Sequence, residues 1–135
     1  MSKRTTYIIL VVAILALVGM FFYNKYNVAP TIDVAKLEMV DQDTNTFNIQ
    51  SLKGKKVIIS FYASWCPNCI QELKTLNKIK EQKLQGIEIL AITDESLEKL
   101  VEFKTKTQYP FTFLTITKIF PEIGINSIPV TYLLN

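Results

Sequence analysis

The sequence predicts an α/β sandwich with at least partly parallel strands, carried behind one N-terminal transmembrane helix. Three observations point there. The stretch from Thr5 to Asn24 contains no charged residue. Val57 to Tyr62 and Ile87 to Ile92 are apolar on both alternating faces, as strands buried within a sheet must be. A helical pattern separates those two runs, and strands that alternate with helices imply crossover connections and parallel pairing.

The first element is the apolar run. Twenty uncharged residues at 1.5 Å rise span roughly 30 Å, the thickness of a bilayer hydrocarbon core. Tyr7 at one end, with Tyr23 and Tyr26 at the other, suits the aromatic belts of the two interfaces. Lys3, Arg4 and the amino terminus outweigh Lys25, so the positive-inside rule puts the N-terminus in the cytoplasm and delivers the rest outside. A cleaved signal peptide is the competing reading. It would end in a small-x-small site, whereas bulky Phe21, Phe22 and Tyr23 close this run and no Ala-x-Ala occurs. The expected organisation is a cytoplasmic terminus at 1–6, a retained span at 7–23, a tether at 24–32 and one domain at 33–135.

Within that domain, Leu37–Val40 and Thr46–Ile49 flank the polar turn 41–45 and read as a hairpin. Lys53, Gly54, Lys55 and Lys56 lead into the first buried strand. From Cys66 a helix is expected, with Ile70, Leu73, Leu76 or Asn77, Ile79 and Leu84 on its apolar side, ending at Gly86. Another helix should run from about Glu95 to Lys106, with Leu97, Leu100, Val101 and Phe103 inward. Phe111–Leu114 reads as a short strand, Ile116–Ile123 as a short helix broken near Pro121, and Val130–Leu134 as the last strand. The lysine-rich stretches at 53–56 and 74–83 read as solvated faces.

Composition removes several function classes. Lys3 and Arg4 are two of the 15 basic residues, so the remainder balances its 12 acidic residues to within one charge. That leaves no electrostatic footprint for nucleic acid. With no histidine and two cysteines, the chain cannot build a Cys–His protease, a histidine-held haem or a four-ligand zinc site by itself. No metal or other cofactor is expected. The cysteines should act as a pair.

Trp65-Cys66-Pro67-Asn68-Cys69 directly follows a buried strand and opens a helix. A thiol there faces unpaired N–H groups and the positive end of the helix dipole, which favour its thiolate. Cys66 should therefore be an exposed nucleophile, and Cys69, one turn further in, should resolve a mixed disulfide. Pro67 suits the first helical turn, where its missing N–H costs nothing. Half of an intermolecular metal site and an inert disulfide are the competing readings. An exported domain, where disulfides persist, favours redox use.

Strand–WCxxC–helix, with Ile128-Pro129 later entering a strand, resembles the thioredoxin fold, a three-layer sandwich. Within it, the N-terminal anchor, the run from Leu52 to Val57 and the run from Phe61 to Cys66 resemble the TlpA/ResA family of exported thiol–disulfide reductases. The resemblance implies that Cys66 attacks, Cys69 resolves and Glu72 is an acidic residue kept near the active site. It makes Pro129 a cis-proline, and places Ile128 beside the attacking sulfur. Trp65 and Pro67 join Ile128 and Pro129 as the implied substrate-contacting residues. It further implies protein-disulfide substrates, a membrane partner that donates electrons, and a role such as reducing the haem-binding cysteines of apocytochrome c.

There are departures. The family usually reads WCxPC, whereas Pro67 stands first and Asn68 second between these cysteines. Ser60 stands where a thioredoxin has a buried Asp, leaving Glu72 as the nearby proton acceptor. The family continues past the cis-proline strand with another strand and a helix, which these 135 residues do not contain. A peroxiredoxin-like thiol peroxidase is a second possible activity, but it would want Thr where Ala63 stands. A redox-inert, partner-binding module is a third.

Overall fold

The computed structural model describes residues 2–26, 31–83 and 85–134. The chain divides into two units, residues 1–30 and 31–135. In the first, α1 (Lys3–Tyr26) is one uninterrupted helix, and its stretch Lys3–Tyr23 is long and apolar enough to cross a membrane. Of the tether expected at 24–32, residues 27–30 lie outside the described residues.

The second unit is built on a six-stranded sheet of order β2-β1-β5-β4-β3-β6. β1 (Met39–Val40) and β2 (Thr46–Phe47) form the hairpin expected from the sequence. The Asp41 carboxylate accepts the backbone N–H groups of Asp43 and Asn45 and so organises the turn between them. These bonds favour the charged carboxylate, and the Asp41 pKa lies below its ordinary value, with the Asn45 N–H the largest cause. β3 (Val57–Phe61), β4 (Glu88–Thr93) and β5 (Thr112–Ile116) run parallel. Such pairs need crossovers, and α2 (Pro67–Lys83) and α3 (Leu97–Thr107) supply them. β6 (Val130–Leu134) returns antiparallel on the other side of β3.

Every residue of β3 is buried, because each face of the sheet has its own core. On one face α2 and α3 bring Cys69, Leu73, Leu100 and Phe103 down onto Ile58, Tyr62, Ile89 and Phe113. On the other, Val57, Ile59, Phe61, Leu90 and Ile92 meet Val34 and Phe120. That second face is closed by short 3-10 turns at Val34–Lys36, Ile49–Leu52 and Phe120–Ile123.

Three details of the sequence reading change. Ile70 and Ile79 are on the exposed side of α2, whose covered stripe is Cys69, Glu72, Leu73, Leu76, Asn77 and Lys80. This stripe starts one residue earlier because the helix is oriented by the buried Cys69 rather than by its isoleucines. Lys80 is only partly exposed: its ammonium donates to the Pro110 carbonyl at 2.8 Å and lies over the Phe111 ring. Leu84 lies outside the described residues. Val101 is exposed on α3, where Leu100 and Phe103 alone reach the core. Finally, Ile116 ends β5 instead of opening a helix. The following turn begins at Phe120, with Pro121 in its first positions and Gly124 ending it at φ 85°, a left-handed conformation suited to glycine.

The revised stripe has a measurable consequence. Leu73→Ala should cost about 2–5 kcal/mol, as deletion of a well-packed leucine does. Ile79→Ala should stay within about 0.5 kcal/mol, as exposed positions do. Urea unfolding read by circular dichroism compares the two, and equal losses would restore the stripe centred on the isoleucines.

Candidate active site

β3 ends at Phe61, and the chain leaves the sheet through Tyr62, whose N–H still bonds the Ile92 carbonyl at 2.9 Å. Ala63 to Cys66 is a tight turn closed by Cys66 N–H to the Ala63 carbonyl at 3.1 Å. α2 begins at the next residue, Pro67. Pro67 lacks a donor and loses nothing there. The Cys66 carbonyl accepts the Ile70 N–H at 3.1 Å, and its sulfur accepts the Cys69 N–H at 3.2 Å. Cys66 thus caps the helix with sulfur where Ser or Asp would use oxygen.

Cys66 and Cys69 form a disulfide, with Cα atoms 5.3 Å apart. The sequence led us to expect an exposed Cys66, but it is only 6% exposed, and Cys69 is fully buried. The Cys66 sulfur, bonded to Cys69, lies on the first turn of α2 against the core of that face. Trp65, in contrast, is 70% exposed beside it, and Pro67 is exposed too.

The Ile128–Pro129 peptide is cis, as the family resemblance implies. The register of β6 opposes Val130 to Phe61, so the cis bond lies just beyond the end of β3 from which the cysteine turn departs. Ile128 is partly buried and packs against both cores, including the one that contains Cys66 and Cys69. The strand register also opposes Thr131 to Ser60. Thr131 donates its hydroxyl to the carboxylate of Glu72 from α2. Glu72 therefore reaches toward β6, on the side of α2 where Cys69 is buried. Beneath it the Ser60 hydroxyl is fully buried, with no hydrogen-bond partner among the described residues.

Sequence reading missed Glu95. The sequence pattern puts it at the start of α3, but that helix begins at Leu97 with Ser96 as its cap. The Glu95 carboxylate instead accepts both the backbone N–H and the hydroxyl of Ser64, at 2.6 and 2.8 Å. An acidic residue just past the C-terminal end of a parallel strand, where α/β sheets place their sites, was the available signal. Burial pushes the neighbouring Tyr62 phenol well above its ordinary pKa, and the charge of Glu95 adds to the rise. Among the described residues no cluster of acidic or cysteine side chains could hold a metal ion.

A disulfide at the first turn of the helix that follows a fully buried inner strand of a thioredoxin-like sheet defines a thiol–disulfide oxidoreductase. The chain belongs to the AhpC/TSA family, whose sequence profile matches residues 27–118. It is 28% identical over 146 residues to the thiol-disulfide oxidoreductase ResA of Bacillus subtilis, covering 99% of this chain and 81% of that one. To the thioredoxin-like protein YneN of the same organism it is 32% identical over 95 residues, 65% of this chain and 55% of YneN. The fold recurs in solved structures. A thiol:disulfide interchange protein from Chlorobium tepidum superimposes with a TM-score of 0.59 at 24% identity, over 79% of each chain. A secreted disulfide oxidoreductase from Mycobacterium tuberculosis gives 0.60 at 18%, over 73% of this chain and 75% of that one.

Proposed function

We propose that this chain is a membrane-anchored protein-disulfide reductase working on the outer face of a bacterial cytoplasmic membrane. The observation that carries the reading is the Cys66–Cys69 disulfide, set at the start of α2 one short turn after the buried strand β3. In the reduced chain the Cys66 thiolate attacks a substrate disulfide. One substrate sulfur leaves as thiolate, and Cys66 is held in a mixed disulfide. Cys69, deprotonated, then attacks the Cys66 sulfur and expels the second substrate thiolate. Two electrons have passed to the substrate, both its sulfurs take up protons, and the Cys66–Cys69 disulfide remains. A membrane dithiol donor restores the reduced pair.

Trp65, Pro67 and Ile128-Pro129 form the rim on which substrate lies, with Ile128 offering backbone groups to an extended segment as an added strand. Glu72 accepts or returns the proton of Cys69, with the Thr131 hydroxyl holding its carboxylate. Reduction of exported apocytochrome c is the substrate reading that similarity to ResA supports.

Three experiments test this. Thiol-dependent insulin reduction should be present in the wild type and lost in Cys66→Ser, while Cys69→Ser accumulates mixed disulfides that Cys66→Ser does not. The reverse trapping pattern would invert the two roles, and peroxide consumption without insulin reduction would replace the reductase by a peroxidase. Glu72→Gln removes a negative charge near the thiols, which favours thiolate. The pH profile of the exchange rate should therefore move to lower pH with the fold intact, and an unmoved profile returns Glu72 to an ordinary surface role. A protease added outside spheroplasts should digest residues 31–135 and spare the anchor; full protection of the domain would reverse the topology.

A further inference from the structure

Two residues at the end of β4 hold two different parts of the site. Asp94 accepts the Phe120 N–H at 2.9 Å and so anchors the turn from which the chain proceeds to Ile128–Pro129. Glu95 holds the cysteine turn through Ser64. The second of these contacts is the unusual one. The Glu95 side chain is only 8% exposed, and each of its carboxylate oxygens accepts a bond from one residue 31 positions earlier, with the Thr93 hydroxyl as a further, longer donor at 3.4 Å.

Glu95 is itself held in place. Its N–H donates to the Thr93 hydroxyl at 3.3 Å, and its carbonyl accepts the Thr115 hydroxyl at 2.7 Å. The Lys99 ammonium lies 3.5 Å from the carboxylate. The anchoring groups thus come from β4, β5 and α3, so the carboxylate is fixed to the sheet rather than to a loop.

Ser64 is the second residue of the turn that Cys66 N–H closes onto Ala63. Bonding its N–H and its hydroxyl from the same carboxylate fixes both the backbone and the side chain at that point. The next two residues are Trp65 and Cys66, so their direction follows from Ser64. We infer that Glu95 is a positioning residue for thiol–disulfide exchange: through its paired bonds to Ser64 it holds the turn that aims Cys66 and Trp65 at the incoming sulfur. This rests on the exchange reading above. A bonded carboxylate serving stability alone would lower the melting temperature without changing the rate per folded molecule.

The experiment uses the full chain in detergent micelles and three variants. Glu95→Ala removes both acceptors. Ser64→Ala removes only the hydroxyl arm and is a mild change should Glu95→Ala fold poorly. Glu95→Gln is the conservative rescue, because its amide oxygen can accept the Ser64 N–H while its N–H₂ donates to the Ser64 oxygen. Iodoacetamide alkylation of reduced Cys66 is timed in each, alongside insulin reduction. Trp65 is the single tryptophan of the chain, so its emission reports this turn alone. Misaligned reacting groups lose roughly tenfold to a hundredfold in rate. Glu95→Ala should fall in that range with a shifted Trp65 emission, Ser64→Ala should lose about threefold, and Glu95→Gln should stay within about threefold of wild type. Unchanged alkylation and emission in both Ser64→Ala and Glu95→Ala would overturn the assignment, and so would a loss in Glu95→Gln equal to that in Glu95→Ala. Were insulin reduction absent from the wild type, the exchange reading would fail by itself, since alkylation and Trp65 emission report the clamp without any protein substrate.

Discussion

Burial of β3 on both faces is the constraint from which the site follows. A strand covered on each side has its register specified by packing, because a slip of one residue would exchange its two sets of side chains between the cores. Ile58, Ser60 and Tyr62 therefore stay under α2, and Val57, Ile59 and Phe61 stay over the 3-10 turns. With β4 on one side and β6 on the other, β3 is held by backbone hydrogen bonds along both edges up to its end. Cys66 lies five residues beyond Phe61, across a single hydrogen-bonded turn. That short separation transfers the rigidity of the sheet to the sulfur.

The same geometry supplies the electrostatics. α2 starts where the turn ends, so its unpaired N–H groups collect around Cys66, and one of them already bonds its sulfur. Bonding of that kind stabilises negative charge and needs no basic residue nearby. The acidic groups are kept at defined places around it. Glu72 is turned toward Thr131 on β6, and Glu95 is turned toward Ser64 and partly neutralised by Lys99. Each carboxylate is thereby tied to an element that flanks the cysteines.

Polar groups left without partners lie on the same side of the sheet. The hydroxyls of Ser60 and Tyr62 are buried and unpaired among the described residues, and such groups are costly to bury. The Tyr62 ring packs against Phe103 of α3 and Phe113 of β5 on that face. An apolar pair of similar size would pack there at lower cost, so this face of the core carries polarity that packing alone does not require.

Some of this was legible without coordinates. The two runs with apolar residues on both alternating faces, interrupted only by Ser60 and Glu88, identified β3 and β4, since a strand covered on both faces needs apolar residues on each. The charge-free stretch after Lys3 and Arg4 marked the candidate span. The position of Cys66 between a strand and a helix identified the chemistry, because the spacing Cys66-Pro67-Asn68-Cys69 leaves one helical turn between the sulfurs. Tertiary structure decided the rest. Which side of α2 faces the sheet depended on Cys69, a residue whose burial follows from the disulfide and from the core beneath it. Cys66, expected to be exposed, is nearly covered because its disulfide-bonded sulfur lies in the core of that face. The position of Glu95 past a parallel strand was a signal, but its bonds to Ser64, and that of Thr131 to Glu72, join residues 31 and 59 positions apart in the chain. Periodicity reports how a residue relates to its neighbours in sequence, and only the strand order brings those distant pairs within hydrogen-bond reach.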